Sequence, residues 1–380
     1  FGTSHRHGRP PMPANNNYKV FANGAARVGY RHYATGPYAT NTEEYDGRPG
    51  TVHDGFSSQG DKSRSKWTPL VSTIPKALAT GLLELRTEAQ AVHVTLGRDG
   101  LADGVVYADV HGALHRQRAR VVAIAGNAIE TPRLLLLSAN PSHPDGLANS
   151  SGMVGRNYMR HTTGVVYAQF SDQVNMHRGE PMAGIVNDES RHDPSRGFVG
   201  GYYLELIAQG LPSFTTFMEP GGWGRDFTSR VEAYTRTAAA WICGEDMPQE
   251  SNRVTLSDTL TDRFGLPAPV VHYDDHPNDL AMREHAYGQA EAMYRAVGAE
   301  RVFRAPALPS GHNMGTTRMS ASPETGVVNQ FGQTHDVPNL FVSDGSVFTT
   351  GAAANPTLTI VALVMRQAEY LVSQFRAGQL

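Results

Sequence analysis

The residues best suited to chemistry are a histidine and an asparagine near the C-terminal end. His312 lies in Ser310-Gly-His-Asn-Met-Gly-Thr-Thr-Arg-Met319, and Asn355 lies in Gly351-Ala-Ala-Ala-Asn-Pro-Thr357. Oxidation of an alcohol needs a group that takes the hydroxyl proton as hydride leaves the carbon, and neutral imidazole does this near pH 7. An asparagine amide can hold the same oxygen without titrating. A lone loop histidine is more often structural, and Asn355 taken alone could simply cap a helix.

The stretch around Asn355 has the composition of a ligand site at the start of a helix. Its small residues would let a planar ligand or another backbone approach closely, and Pro356 suits the first position of the helix predicted over 356–375. The N-terminus of such a helix offers free N–H groups and a positive dipole end. Aimed at the edge of a flavin ring, it would stabilise the negative charge of the reduced form.

A second candidate ligand site follows a series of short strands. Arg120–Ala125 is a continuous apolar run, typical of a buried parallel strand. Gly126 opens the next turn, and a helix is predicted from Thr131-Pro132 with Thr131 as its cap. Strand, small turn and helix start form the usual frame for a nucleotide. Upstream, turn signals separate four strand candidates of an antiparallel meander: Leu83–Arg86, Ala91–Val94, Gly104–Ala108 and Ala113–Arg116.

The remaining chain divides into a loop-rich start, a strand-rich middle and a helical end. The sequence of residues 1–75 predicts a helix over 18–30. The rest of this segment is predicted to be a long ordered loop, which suits a lid. Alternating stretches between 161 and 275 predict a broad antiparallel sheet with strands at Gly164–Phe170, Phe198–Ile207 and Asn252–Ser257. A helix follows over 277–297, and a short buried strand over 338–343 ends at Asp344. His161 and Cys243 are interpreted as structural residues.

Composition excludes several classes of function. The chain has 380 residues, 40% of them hydrophobic and 18% charged, which fits a soluble globular protein of about two domains. A net charge of −3 gives no field that would gather nucleic acid or a membrane. No apolar run is long enough to span a bilayer, and a cytoplasmic location is favoured. No histidine group, including His5 and His7, has zinc spacing, so no metal ion is expected.

The motifs together resemble the glucose–methanol–choline (GMC) oxidoreductase family. The resemblance rests on His-x-x-Gly-Thr-x-Arg-Met from His312, on Pro-Asn-Leu-Phe-Val before Asp344, and on Ala-Asn-Pro-Thr around Asn355. Ala125–Ser138 resembles the second flavin-domain motif, and Glu250–Ser257 resembles a substrate-domain strand. The branch most similar holds pyranose oxidases and the large subunits of gluconate and fructose dehydrogenases.

The resemblance implies FAD as cofactor and a role for each matched residue. His312 matches the catalytic base, and Asn355 matches the second catalytic position beside the flavin. The implied cofactor contacts are the turn at Gly126, the strand end at Asp344 and Gly345, the backbone of Thr357, and Ala91 against the adenine.

The implied fold is α/β (α+β): a discontinuous Rossmann-like FAD domain with a parallel sheet, and a substrate domain with a large antiparallel sheet. The expected division is a lid region over 1–75, FAD domain over 76–160, substrate domain over 161–300, and the C-terminal part of the FAD domain over 301–380. The family's opening strand and its Gly-x-Gly-x-x-Gly turn do not occur, so we expect an N-terminal FAD-binding segment to be missing from this chain.

A second departure concerns the electron acceptor. The segment 46–68 resembles one that carries cluster-binding cysteines in the dehydrogenase subunits, but here the positions hold Thr51, Asp54, Ser57 and Asp61. With one cysteine in the sequence, no cysteine-ligated cluster can form. The flavin would then pass electrons to oxygen or to a quinone-type small acceptor.

The reaction implied is oxidation of a secondary hydroxyl, C2 or C3, of a pyranose or glycoside, by hydride transfer to flavin N5. The alternatives are a sugar or polyol dehydrogenase subunit that serves a quinone or cytochrome partner, and a non-catalytic fragment. The oligomeric state stays open.

Overall fold

The computed structural model describes residues 10–53, 55, 57 and 60–380. The helices are α1 (Asn16–Arg27), α2 (Thr73–Ala79), α3 (Asn127–Leu137), α4 (Leu211–Met218), α5 (Gly224–Glu232), α6 (Pro277–Ala296) and α7 (Thr357–Arg376). The strands are β1 (Tyr33–Ala34), β2 (Gln90–Leu96), β3 (Ala102–Ala108), β4 (Leu114–Arg118), β5 (Val122–Ile124), β6 (Thr162–Gln169), β7 (Met182–Val186), β8 (Tyr202–Ile207), β9 (Thr237–Gly244), β10 (Arg253–Thr261), β11 (Pro267–His272), β12 (Arg301–Ala305) and β13 (Leu340–Val342). Among the described helices, none combines the length and the apolar character needed to cross a bilayer.

The chain folds into two units, each assembled from separate segments. The first contains the described residues up to Leu85, together with Thr162–Gly244 and Ala281–Pro309. The second contains Arg86–His161, Glu245–Leu280 and Ser310–Leu380. The second unit is therefore discontinuous in sequence. It includes residues 245–280, which the sequence analysis assigns to the substrate domain.

The first unit is built on a six-stranded antiparallel sheet with the strand order β1-β7-β8-β9-β6-β12. The expected broad antiparallel sheet is confirmed, and its central strands are buried along nearly their whole length. Helix α1 packs closely in this unit because Gly24 has no side chain: a Cβ there would lie 2.3 Å from the carbonyl oxygen of Met293. Gly24 lowers helix propensity but permits this contact.

The second unit contains three small sheets. Strands β2, β3 and β4 form the expected antiparallel meander, and β5 pairs in parallel with β13, as the apolar run at 120–125 predicts. Strands β10 and β11 form a hairpin. The prediction for Asn252–Ser257 is thus wrong in its pairing, since β10 lies in this hairpin and not in the broad sheet. Leu83–Arg86 forms no strand, and the side chains of Leu83 and Leu85 are exposed.

Helix α3 begins four residues before the predicted start, at Asn127, with Gly126 in the capping position. Thr131 is therefore not its cap, and Pro132 lies inside the helix. A proline has no N–H for the carbonyl four residues earlier, which belongs to Ala128. That carbonyl instead accepts a hydrogen bond of 2.8 Å from the hydroxyl of Thr316. A residue of the His312 segment thus compensates for the interior proline.

Candidate active site

His312 and Asn355 come together in the second unit. His312 lies in the loop between β12 and β13, and Asn355 directly precedes the first turn of α7. The amide Nδ2 of Asn355 lies 3.3 Å from Nε2 of His312. The Asn355 amide therefore contacts the imidazole, and Pro356 occupies the capping position of α7. Asn355 is exposed and His312 is half-buried.

A third residue, His161, completes this group and was missed as a site residue by the sequence analysis. Its Nδ1 lies 2.9 Å from Nδ1 of His312, and the two rings meet edge to face. Its Nε2 lies 3.0 Å from the carbonyl oxygen of Gly351. The sequence predicts only a structural role for His161. Its two partners lie 150 to 190 positions away, and no motif spacing links them to it.

Burial keeps the two imidazoles uncharged. Burial, and to a lesser extent the neighbouring His161, lowers the pKa of His312 to about 4. Burial also lowers the pKa of His161, which is 1% exposed. Both rings are therefore neutral at pH 7, which is the state that a proton acceptor requires.

Gly351 has a packing role beside His161. A Cβ at this position would lie 3.0 Å from Cδ2 of His161 and 3.2 Å from Oδ1 of Asp246. Asp246 is almost fully buried, accepts a hydrogen bond of 2.7 Å from the backbone N–H of Arg160, and has a pKa raised by burial to about 6. The missing side chain of Gly351 thus leaves room for the His161 ring and the Asp246 carboxylate.

The loop that carries His312 is held by backbone hydrogen bonds of the residues that follow the histidine. Met314 and Met159 exchange two such bonds, of 2.9 and 3.0 Å. Beyond Gly315, the N–H of Thr317 donates to the carbonyl of Ser346 at 2.9 Å. The motif residues after the histidine therefore fix the loop, and with it the imidazole.

Gly126 and Asp344 are joined through Thr131. The N–H of Gly126 donates to the Thr131 hydroxyl at 2.9 Å, and that hydroxyl donates to Oδ2 of Asp344 at 2.5 Å. Oδ1 of Asp344 accepts the N–H of Ser346 at 2.8 Å and so caps the short 3-10 helix that begins at Gly345. The ends of β5 and β13 are thus connected where the sequence analysis places a nucleotide.

Ala91 and Gly126 line the same cavity of about 350 Å³, a volume typical of small-molecule sites. Its other walls are aliphatic, with three polar side chains, and comprise Gln90, Ile124, Glu130, Arg133, Leu134 and Leu137. Thr357 is the first residue of α7, where backbone N–H groups lack partners within the helix. These residues fit the cofactor expected from the sequence: a pocket with aliphatic walls and polar side chains beside them, and N–H donors at the start of α7.

Of the four positions that the resemblance matches to cluster cysteines, Thr51 and Ser57 carry hydroxyl groups and lie in the first unit. Thr51 and Ser57 both donate to the buried carboxylate of Glu180. Asp61 accepts hydrogen bonds from Ser63 and Ser65. Asp54, His5 and His7 lie outside the described residues. Cys243 is 1% exposed within β9, so the prediction of a buried cysteine is confirmed.

Comparison with known proteins identifies the family. Two family models described as GMC oxidoreductase match residues 6–163 and 248–363. Similar proteins include 2-methyl-1,2-propanediol dehydrogenase of Mycolicibacterium austroafricanum, with 35% identity over 96% of this chain and 68% of that protein. C-glycoside 3-oxidase of Arthrobacter globiformis is 31% identical over 75% of this chain and 52% of its own length.

Solved structures agree on the fold. A variant of formate oxidase from Aspergillus oryzae superposes with a TM-score of 0.65 at 16% identity, over 95% of this chain and 71% of that one. The predicted α/β fold class is confirmed by this likeness and by the mixed sheets and helices of the two units. Family membership likewise confirms the expected enzyme class and its FAD cofactor. The chain belongs to the GMC oxidoreductases, FAD enzymes that act on alcohols and sugars.

Proposed function

We propose that this chain oxidises a secondary ring hydroxyl of a pyranose or glycoside, at C2 or C3, with His312 as the base and Asn355 as the residue that holds the hydroxyl. The observation that carries the proposal is the contact of 3.3 Å between Nε2 of His312 and Nδ2 of Asn355. Two polar groups this close can both reach one substrate oxygen.

The chain's own residues would handle the proton and the oxygen. Bound FAD supplies the acceptor for the hydride that leaves the substrate carbon. Nε2 of His312 takes the proton of the hydroxyl, and the oxygen keeps the electron pair that becomes the second bond of the carbonyl. The Asn355 amide donates to that oxygen and directs it. Because burial disfavours the imidazolium form of His312, the ring is free to accept the proton at neutral pH.

The cofactor residues proposed are Ala91 and Gly126 at the cavity, Asp344 and Gly345 at the end of β13, and Thr357 with Asn355 at the start of α7. Their support is the cavity of about 350 Å³ next to Gly126 and the hydrogen bonds that join Gly126 to Asp344 through Thr131. We also propose residues 161–300 as the substrate-binding domain and the described residues up to 75 as a lid.

The proposed acceptor is oxygen or a small quinone-type molecule. Support comes from the hydroxyl groups of Thr51 and Ser57, which donate to Glu180 at positions where related dehydrogenase subunits carry cysteines. Neither side chain offers the cysteine thiolate that holds iron–sulfur clusters. Transfer from the flavin to a diffusible acceptor needs no such relay.

The direct test is oxygen uptake by the FAD-loaded protein with a panel of pyranoses and glycosides. We expect oxygen consumption with stoichiometric hydrogen peroxide, and an oxidised sugar with a ketone at C2 or C3. Reduction of a quinone dye without peroxide would identify the quinone-type molecule as the acceptor, and electron transfer only to a cytochrome partner would favour the dehydrogenase subunit. A protein that binds no flavin, or whose flavin no sugar reduces, would favour a non-catalytic fragment.

A second candidate substrate is a small aliphatic diol. The observation in its favour is the 35% identity to 2-methyl-1,2-propanediol dehydrogenase, which extends over 96% of the chain. The same base and amide would serve, since the proton chemistry of an open-chain hydroxyl is the same. Including 2-methyl-1,2-propanediol in the panel separates the two, because the proposed enzyme should prefer one class by its kcat/KM.

The pH profile of flavin reduction should report the lowered pKa of His312. The base works only when neutral, and burial lowers its pKa to about 4, so the rate constant should be level above about pH 5.5. Below pH 4 it should fall by about tenfold per pH unit. Anaerobic stopped-flow reduction between pH 3.5 and 8 measures this. A midpoint near 6.5, that of an ordinary imidazole, would contradict the buried neutral base.

A further inference from the structure

We propose that His161 is a positioning residue that fixes the tautomer of His312, so that the lone pair of His312 lies on Nε2. The inference rests on the proposed role of His312 as the base. Three contacts in series support it: Gly351 oxygen to His161 Nε2 at 3.0 Å, His161 Nδ1 to His312 Nδ1 at 2.9 Å, and His312 Nε2 to Asn355 Nδ2 at 3.3 Å.

The direction of each hydrogen bond follows from the first contact. A carbonyl oxygen only accepts, so Nε2 of His161 carries the hydrogen that points at Gly351. A neutral imidazole has a single N–H, which leaves a lone pair on Nδ1 of His161. The two Nδ1 atoms share one hydrogen, so His312 must donate it. Nε2 of His312 therefore has no hydrogen, and it accepts from the Asn355 amide.

The opposite direction would require an imidazolium in the interior. If His161 donated from Nδ1 while still donating from Nε2 to Gly351, it would carry a positive charge. The residue is 1% exposed, and burial lowers its pKa. The carboxylate of Glu245 acts in the other direction, but the burial is the larger effect. The neutral ring, and with it the direction given above, is favoured.

The backbone at both ends of the Gly351–His161 contact has an unusual conformation. His161 has φ +65°, and Ala352, next to the carbonyl of Gly351, has φ +51°. Residues other than glycine rarely adopt this left-handed conformation, and when they do they cluster at functional sites. At Gly351 the missing side chain leaves room for the His161 ring, since a Cβ would lie 3.1 Å from its Nε2. The conformations of His161 and Ala352 and the space at Gly351 thus all favour the contact between the His161 ring and the Gly351 carbonyl.

Nitrogen NMR of the unaltered protein tests the tautomer directly. In protein labelled with ¹⁵N-histidine, the two ring nitrogens of His312 have different shifts depending on which one carries the hydrogen. The resonances are assigned by their loss in the variant His312→Ala. We expect Nδ1 of His312 to be protonated and Nε2 to be bare at pH 7.5. A hydrogen on Nε2 of His312 would overturn the proposal.

Two variants of His161 separate positioning from packing. His161→Phe keeps a planar ring but offers no acceptor, so His312 should become a mixture of tautomers, and the rate of flavin reduction should fall roughly 10- to 100-fold with little change in KM. His161→Gln can accept from His312 and donate to Gly351 through one amide, so it should restore the single tautomer and most of the rate. Equal loss in both variants, with His312 still a single tautomer, would overturn the positioning role.

The results also distinguish this inference from the proposed function. If His312→Ala is slow and His161→Phe is as fast as the unaltered enzyme, the base assignment stands and the positioning role fails. If His312→Ala reduces its flavin at the original rate, the base assignment fails whatever tautomer the NMR spectrum reports. If His161→Phe does not fold, the spectrum of the unaltered protein and the His161→Gln variant still decide the matter.

Discussion

Replacing His312 with alanine is expected to slow flavin reduction by roughly two to four orders of magnitude, the range usual for losing a general base. The variant lacks the imidazole nitrogen that lies 3.3 Å from the Asn355 amide, so the hydroxyl proton would lose its proposed acceptor. Hydride cannot leave the carbon readily while the oxygen keeps its proton. The expected loss is in the reduction rate constant, with substrate affinity reduced much less.

Anaerobic stopped-flow spectroscopy measures this rate constant from the bleaching of the oxidised flavin. A suitable control is His111→Ala, since His111 is exposed in the turn between β3 and β4 of the same unit. That variant should reduce its flavin as fast as the unaltered enzyme. Wild-type speed in His312→Ala would show that another group takes the proton.

Local sequence patterns were sufficient for the elements that carry the site. A long apolar run followed by Gly126 predicts β5 and the turn after it, and the helical periodicity after Pro356 predicts α7 within one residue at each end. His312 and Asn355 could be paired because the motifs around them resemble those of a known family. The two elements depend on residues near one another in sequence, and the pairing of His312 with Asn355 depends on motifs shared with a family. A single sequence contains both kinds of information.

Features that depend on distant partners were predicted poorly. The start of α3 was placed too late because Pro132 suggests a first turn, and the bond from Thr316 that tolerates an interior proline comes from far along the chain. The pairing of β10 with β11 was missed because alternation predicts a strand but not its neighbour. His161 was missed for the same reason, since its partners are a side chain and a carbonyl far away in sequence.

The glycine of the His-x-x-Gly motif should be a sensitive position for stability. Gly315 has φ +94°, and a Cβ there would lie 2.0 Å from the carbonyl oxygen of Asn157 and 2.9 Å from Cε of Met159. The first neighbour is a backbone atom two residues before Met159, which exchanges two hydrogen bonds with Met314, so it cannot shift as easily as the end of a side chain. Gly315→Ala should therefore destabilise the protein by roughly 3 kcal/mol or more, combining a strained φ with a backbone clash.

Gly311→Ala is the matched control, because Gly311 lies four residues earlier in the same loop, and a Cβ there would meet no atom within 4 Å. Its free energy of unfolding should change by no more than about 0.5 kcal/mol. Thermal and urea unfolding compare the two variants, and flavin reduction is measured below both transitions. Gly315 permits the backbone hydrogen bonds between Met159 and Met314, which help to fix the loop that carries His312. The folded fraction of Gly315→Ala should therefore also reduce flavin slowly. If Gly315→Ala unfolds like Gly311→Ala, the close approach to Asn157 does not fix this loop, and the precise placement of His312 must depend on Thr317 and the segment that follows.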